Sequence, residues 1–410
     1  MALGLEHTKT VLERLALPHL PEHILHVAGS NGKGTVCAIM AGALILDGTS
    51  SLLFSSPHLI RVEERIRIDG VPVAPLPFER ALNKVRAASD LVPKVVLTFF
   101  ESTYLAAMQC ASDFEVDVLI LETGLGGRKD ATRSGPATAS LVTSISTEHR
   151  DVLGHDLPLI SKEKAAIARP GCPIIVRQPL HQDVKLAILE EIEDAGQSIL
   201  DEPKAPAMPL FVSIPPEASV RDEACLLARA VFEAVGLPTH RVNESSNRVQ
   251  WPARMQHIVA PNTGSHPYLL DAAHNPSGLL RVLPELEHRI KQSPDGWSLL
   301  FGTSPQHDLE AFCQPLIELC TRHPPHQILF TEPQGGRYPA VSSTTLSKLG
   351  WPGKEVFVEP MPDAAVNHLH SIPSSSVGLV VSLGSLYLQG NLLDALGHSS
   401  DEALSLVAKQ

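Results

Sequence analysis

The ten residues from His26 to Thr35 constrain this chain more than any other stretch. They read HVAGSNGKGT: the end of an apolar strand, a glycine-rich turn, then a lysine and a threonine at the head of an apolar run. Glycines let backbone N–H groups turn toward a phosphate chain, and a helix N-terminus adds positive potential. In such a turn Gly29, Ser30, Asn31, Gly32, Lys33, Gly34 and Thr35 would line a nucleotide's phosphates. Lys33 would hold the β- and γ-phosphates, and the Thr35 hydroxyl would ligate Mg2+. Gly34 separates the lysine from the threonine, a departure from the usual P-loop spacing. The plainer alternative is a glycine turn opening an ordinary Rossmann-like helix. The run Thr35–Leu46 is apolar nearly all round, which predicts a helix buried against a sheet.

A chain of 410 residues exceeds what one core comfortably serves, so two domains are expected. Short apolar runs alternate with longer helical stretches, the pattern of an α/β protein with mostly parallel sheets. In the first half, strands are expected at Ile24–Ala28, Val116–Leu121, Leu141–Ile145 and Pro173–Val176. Helices are expected at Thr35–Leu46, Phe99–Ala111, Leu159–Arg169 and Gln182–Ala195, with an Asp-Gly hairpin around Ile66–Pro72. Asp201–Pro216 is proline-rich and reads as irregular. A helix at Arg221–Val235 ends at Gly236. We place the domain boundary at Trp251-Pro252: an N-terminal doubly wound, P-loop-type domain (1–250), a linker (251–267) and a smaller Rossmann-like domain (268–410). Strands of the latter are expected near Tyr268–Asp271, Ser298–Phe301, Gln327–Thr331, Glu355–Val358 and Gly378–Ser382.

Composition narrows the partners. With 33 basic and 45 acidic residues the net charge is −12, which argues against nucleic acid as a main partner while leaving room for a local anion pocket. The six cysteines (Cys37, Cys110, Cys172, Cys225, Cys313, Cys320) form no CxxC pair, so neither a disulfide framework nor a zinc site is expected. No apolar run reaches the roughly 18–20 residues of a membrane helix. The N-terminus lacks the basic-then-apolar layout of a secretory signal. A cytoplasmic protein with no membrane partner is the expectation.

Other residues join the phosphate loop. The run VDVLILETGLGGRKD places Glu122 at the end of a buried strand, where doubly wound proteins bind their ligands. The glycines after it allow close approach of backbone to ligand. His149, in SISTEHRDVLG, sits just past another strand and reads either as a rim ligand or as a surface residue. Lys162-Glu-Lys164 lies in a helix ended by Pro170-Gly171, and on pattern alone reads as a solvated charged face. Beyond the boundary stand Trp251-Pro-Ala-Arg254 and Asp271-Ala-Ala-His274-Asn275-Pro276. The second group is either a ligand-facing turn between the domains or a plain Asx turn before a helix.

Together the ordered motifs AGSNGKGT, FSSPHLIRVEERIRIDG, TFFE, LETGLGGRKDAT, TEHRDVLG, KEKAAIARPG, WPAR and DAAHNP resemble the folylpolyglutamate synthase and dihydrofolate synthase family of Mur-type amide ligases. The terminal VVSLGSLYLQGNLL is similar to the same region of fungal dihydrofolate synthases. The resemblance implies that Lys33 and Thr35 hold ATP and Mg2+, that Glu122 and His149 bind metal, and that Lys164 is carbamylated between two divalent cations. It implies nucleotide contacts from Arg254, Asp271 and His274. Ser56, Pro57, His58 and Leu59 match the pterin-side segment, and Arg128 and Asp130 are candidate substrate contacts. Lys33, Lys164 and His149 are the candidate catalytic residues. The implied partners are ATP, L-glutamate and a pterin or other carboxylic acid, bound by a monomer.

The implied reaction joins a carboxylate to the amine of glutamate. Transfer of the γ-phosphoryl group makes the carboxylate a competent acyl donor, and domain closure would keep water from the acyl phosphate. Several positions depart from the family pattern. No Gly-x-His-Gln followed by Asn-Ala precedes the Arg221–Val235 helix, where SIPPEASVRDEA stands instead. Ala253 and Ala272 replace glycines, Lys129 replaces an apolar residue, and His307-Asp308 stands where Lys-Asp is usual. The phosphate and metal side is therefore better matched than the adenosine side. Two other readings stay open: the same ligase chemistry on a non-folate acid, or a nucleotide-binding homologue without turnover.

Overall fold

The computed structural model describes residues 5–146, 156–197, 207–259, 266–336, 338–352 and 355–407. They form two compact units, the first comprising Met1–Gln250 with Ser405–Gln410 and the second Trp251–Leu404. Each is α/β and built on its own sheet.

The sheet of the first unit has the order β4-β3-β2-β5-β1-β6-β7-β8. Its strands are β1 (His23–Ala28), β2 (Ser51–Phe54), β3 (Ile66–Ile68), β4 (Val71–Pro72), β5 (Val118–Glu122), β6 (Ala139–Val142), β7 (Pro173–Arg177) and β8 (Met208–Val212). The strands from β2 through β8 pair in parallel, and the hairpin β3–β4 adds antiparallel at one edge. Every residue of β5 is buried, which requires cover on both faces of a parallel sheet. On one face Leu119 and Leu121 pack with Tyr104, Leu105 and Met108 of the Phe99–Asp113 helix. The Lys33–Asp47 helix also packs against β1, β2 and β5.

Local sequence chemistry sets the helix ends. The Lys33–Asp47 helix is buried without a break from Val36 to Leu44, and it stops at Gly48, whose φ is 82°. Thr98 and Glu101 of TFFE form a capping box: the Thr98 hydroxyl accepts from the Glu101 N–H at 3.2 Å, and the Glu101 carboxylate accepts from the Thr98 N–H at 2.6 Å. Gly42 lets the Lys33–Asp47 helix meet the Val242–Arg248 region closely. A Cβ there would lie 2.3 Å from Val249 and 2.5 Å from Ser245.

The second unit's sheet has the order β13-β12-β11-β14-β10-β9. Its strands are β9 (Gln256–Val259), β10 (Pro267–Leu270), β11 (Trp297–Phe301), β12 (Ile328–Phe330), β13 (Val356–Val358) and β14 (Leu379–Leu383). Only β9 runs antiparallel, against β10; the others pair in parallel. Phe301 anchors one core face, with ring centroids 5.6 Å from Trp351, 6.4 Å from Phe312 and 6.5 Å from Phe330.

The structure departs from the sequence expectations at identifiable places. The strand expected at Leu141–Ile145 ends at Val142, because Thr143–Ser146 turn away to hydrogen-bond the glycine loop. The helix expected at Leu159–Arg169 spans Leu157–Ala165 and starts on the Asp156 cap. Within the stretch read as irregular, Met208–Val212 pairs with β7 as an edge strand. The expected linker 251–267 contains β9. Leu406 returns to the first unit, accepting from Gln250 N–H at 2.8 Å and donating to Gly70 O at 3.0 Å. Among the described residues no helix is long and apolar enough to cross a membrane.

Trp251, Trp297 and Trp351 are the chain's three tryptophans and all fall in the second unit. Phe301→Ala is expected to destabilise that unit by about 3–5 kcal/mol. Denaturant titration followed by tryptophan emission would show the midpoint falling accordingly.

Candidate active site

β1 delivers the chain into the glycine loop, whose Ser30 and Asn31 are tied by hydrogen bonds to the Thr143–Ser146 segment. The Ser30 N–H donates to Ser144 O at 2.8 Å, and the Ser30 hydroxyl donates to Ser146 O at 3.1 Å. The hydroxyls of Thr143 and Ser144 both donate to Asn31 O, at 2.8 and 3.1 Å. Gly29 has φ 145°, and a Cβ on it would fall 1.8 Å from Thr143 Oγ1. No larger residue fits there. Gly32 caps the helix at φ 86° with open space beside it. The Lys33 ammonium reaches back over the loop and donates to Gly29 O at 2.8 Å. Thr35 lies in the helix's first turn. This is a backbone cradle closed by a lysine, the arrangement that suits phosphate oxygens.

β5 runs beside β1 and ends on Glu122, whose residue is only 6% exposed. Its carboxylate accepts from the Ser56 N–H at 3.2 Å, which joins the segment after β2 to the same rim. The buried Cys37 thiol, one helical turn beyond Lys33, is pushed well up by burial and by Glu122, with Lys33 opposing. Mg2+ is ordinarily held by one or two carboxylates plus phosphate oxygens and water. The hard oxygen donors Glu122 and Thr35 fit that chemistry.

The loop after Glu122 carries two residues that the sequence reading offered as substrate contacts, and the structure engages both elsewhere. Asp130 is buried, with one oxygen accepting from Gly124 N–H and Leu125 N–H, both at 2.9 Å. The other accepts from Thr132 N–H at 3.0 Å and the Thr132 hydroxyl at 2.5 Å. Burial pushes its pKa up against these four bonds, and its carboxylate serves to shape the loop. Arg128 pairs with Glu163 at 2.7 Å and Glu191 at 2.5 Å. The bond to Glu191 first, then that to Glu163, holds its pKa above the usual guanidinium value. It ties the loop to the Leu157–Ala165 and Gln182–Gln197 helices. Partners this far along the chain leave no local signature.

Lys164 belongs to the Leu157–Ala165 helix and is 1% exposed, so the solvated charged face suggested by pattern alone is not what forms. Its helix meets the loop at Gly127, where a Cβ would lie 2.5 Å from Glu163 O and 3.0 Å from Lys164 O. His149 lies outside the described residues.

On the Ser56-Pro57-His58 side, His58 Nδ1 accepts from Arg65 Nε at 3.0 Å, which leaves the ring proton on Nε2. Burial, then the Arg65 charge, lowers the His58 pKa. The Arg65 guanidinium sits 5.0 Å from the centre of the Phe99 ring. Glu64 is buried and organises this turn by accepting from Leu59, Ile60 and Arg61 N–H at 3.1, 2.8 and 2.8 Å. Its backbone carbonyl also accepts from buried Arg67.

In the second unit, Asp271 follows β10. Its carboxylate accepts from Met255 N–H at 2.9 Å and Ala273 N–H at 2.8 Å, and burial raises its pKa while nearby Arg254 opposes. This joins WPAR to DAAHNP, as does the bond from Ala272 N–H to Ala253 O at 2.9 Å. His274 is exposed, with Nδ1 at 2.9 Å from Ala272 O. Asn275 caps the Pro276–Gln292 helix through Gly278 N–H at 2.7 Å. Ala253 stands at φ 57°, a left-handed conformation that strains any residue but glycine. On the other side of the sequence boundary, Ser219 and Asp222 of SVRD form a capping box on the Val220–Val235 helix.

Sheet order, glycine loop and buried strand-end carboxylate define a two-unit, P-loop-type α/β protein. No protein-family model matches the sequence. The dihydrofolate synthase/folylpolyglutamate synthase of Haemophilus influenzae is 38% identical over 191 residues, 47% of this chain and 42% of that protein; the chain thus spans under half of that relative. The protein of the same name from Buchnera aphidicola subsp. Acyrthosiphon pisum is 31% identical over 300 residues, 69% of this chain and 70% of its own. The dihydrofolate synthetase of Saccharomyces cerevisiae is 26% identical over 429 residues, covering 95% of this chain and 97% of its own. A crystal structure of a bifunctional folylpolyglutamate synthase/dihydrofolate synthase with Mn, AMPPNP and L-glutamate bound superposes with TM-score 0.77 at 25% identity, over 97% of this chain and 95% of that one. The chain belongs to the dihydrofolate synthase/folylpolyglutamate synthase family.

Two outcomes are expected of these sites. Ala253→Gly relieves left-handed strain and should stabilise the second unit by about 0.5–1 kcal/mol, less whatever the freer unfolded chain offsets, read by tryptophan emission. His26, buried beside Thr132, is held well below its ordinary 6.5, first by burial and then by Arg169 and Arg133. The unfolded chain therefore binds this proton more readily. Stability from the neutral ring is complete above pH 6.5 and is lost as pH falls, by up to about 1.4 kcal/mol per unit. Denaturation followed by far-UV circular dichroism from pH 7.5 to 5 should show a shallower loss in His26→Gln.

Proposed function

We propose that the protein is an ADP-forming amide ligase that joins the carboxylate of dihydropteroate, or a related pterin acid, to the amine of L-glutamate. The observation that carries this reading is the pairing of the Gly29–Thr35 cradle, closed by Lys33, with buried Glu122 at the end of the adjacent strand. Family membership points the same way, as does the bound AMPPNP, Mn and L-glutamate named for the relative's crystal structure.

The carboxylate of the acid attacks the γ-phosphorus of ATP and ADP leaves, giving an acyl phosphate. The loop amides and the Lys33 ammonium orient the phosphate chain and offset charge on the transferring group. Glu122 and Thr35 would hold Mg2+, which supplies charge neutralisation to the same oxygens. The neutral amine of glutamate then attacks the acyl carbon, phosphate departs with one former carboxylate oxygen, and the amine gives up a proton. Lys164, buried against the loop after Glu122, is the candidate for the carbamylated lysine that the family resemblance implies, with His149 as the further metal ligand. Ser56, whose N–H donates to Glu122, and the His58–Arg65–Phe99 cluster are the candidate contacts on the acid's side. Arg254, Asp271 and His274 are assigned to the nucleotide.

ADP release and product mass would be measured with Mg–ATP, glutamate and dihydropteroate together and with each omitted in turn. The proposal requires release that depends on both co-substrates and tracks dihydrofolate. ADP formation supported only by another acid would move the substrate assignment, and ATP binding without turnover in any combination would end the ligase reading. Lys33→Ala should lower amide formation by about 100-fold or more while leaving the denaturation midpoint of the first unit within error of the parent.

A further inference from the structure

A buried hydrogen-bond chain connects the strand that leads into the phosphate loop with the loop that follows Glu122. His26 lies on β1, three residues before Gly29, and is 1% exposed. Its Nε2 is 2.7 Å from Thr132 Oγ1, and the Thr132 hydroxyl donates to Asp130 at 2.5 Å. Asp130 then accepts from Gly124 and Leu125 N–H, the second and third residues after Glu122. The direction of each bond follows from proton counting. Asp130 accepts from four donors, which a carboxylate satisfies and a protonated acid does not. The single hydroxyl proton of Thr132 is given to Asp130, so Thr132 Oγ1 must accept from His26 Nε2–H. That leaves His26 Nδ1 unprotonated, and it has no hydrogen-bond partner, as a neutral ring in this tautomer permits.

We infer that His26 and Thr132 are positioning residues, which act through Asp130 to set the backbone exit of Glu122 and the seat of the Lys164 helix. The geometry carries both halves. Thr123 N–H donates to Val27 O at 2.9 Å, so β1 and β5 stay in register up to the residue after Glu122. From there the path of the chain depends on Asp130 holding Gly124 and Leu125. The same loop reaches Gly127, which abuts Glu163 O and Lys164 O. None of the three relay side chains needs to touch a substrate for this role. Groups that orient a metal ligand in this way commonly affect metal affinity by about 10–100-fold. The inference rests on the assignment of Glu122 to a divalent cation.

Thr132→Val keeps the shape and removes the hydroxyl, whereas Thr132→Ser keeps the hydroxyl. Two readouts decide the matter. Hydrogen exchange of the Gly124 and Leu125 amides, followed by mass spectrometry of fragments covering 123–131, should accelerate about tenfold or more in Thr132→Val. Mn2+ binding in the presence of ATP, titrated by electron paramagnetic resonance, should weaken about tenfold or more in Thr132→Val and return to within about threefold of the parent in Thr132→Ser. If Thr132→Val does not fold, His26→Leu removes only the first donor and should shift both readouts in the same direction by a smaller factor. Unchanged exchange and unchanged Mn2+ affinity in the folded variants would overturn the inference. Neither readout requires turnover: a parent protein that binds Mn2+ with ATP yet forms no amide would refute the proposed reaction and leave this inference standing.

Discussion

The close approach of Gly29 to Thr143 governs the candidate site. A Cβ at Gly29 would overlap the Thr143 hydroxyl, and that same hydroxyl donates to Asn31 O. Because β1 lies between β5 and β6, the turn after it is braced from the β6 side and faces Glu122 on the β5 side. The loop's shape is fixed because the Ser30 and Asn31 amides, the Asn31 carbonyl and the Ser30 hydroxyl already have partners in Thr143–Ser146. A polar loop of this kind keeps its shape before any ligand arrives, which limits reorganisation in the reaction.

Around that loop, some charged side chains stand at the candidate phosphate site and others hold the scaffold. Lys33 and Glu122 stand at the rim. Asp130 and Arg128, one turn of chain further on, are spent on the loop and on Glu163 and Glu191. Asp271 has the corresponding task in the second unit, where it draws Met255 and Ala273 together. Buried carboxylates bonded to backbone N–H groups in this way are costly to remove, because the donors are then left without acceptors.

Much of this was legible in the sequence, for physical reasons that differ from element to element. The glycine loop, the buried Lys33–Asp47 helix and Glu122 at a strand end follow from local patterns of glycine, apolar run and terminal acid. The Thr98–Glu101 box is also local, since its two bonds span three residues. The Asp130 and Arg128 roles were not legible, because Arg128 finds its partners 35 and 63 residues away and Asp130 competes for donors that any loop possesses. Thr143–Ile145 reads in sequence as the end of a strand, and only the bonds of Thr143, Ser144 and Ser146 to Ser30 and Asn31 reveal the brace. Lys162-Glu163-Lys164 reads in sequence as a solvated helix face, yet Lys164 is 1% exposed, on a helix that packs onto the loop at Gly127. Ala253 replaces a glycine of the family pattern, and its positive φ explains what glycine would supply there.

The role proposed for this loop is to move a phosphoryl group onto a carboxylate. The most direct test uses dihydropteroate labelled with 18O in its carboxylate, with Mg–ATP and glutamate, and mass analysis of the inorganic phosphate released. An acyl phosphate pathway predicts that each phosphate formed with the amide carries one oxygen from the labelled carboxylate. Amide formation accompanied by unlabelled phosphate would contradict it.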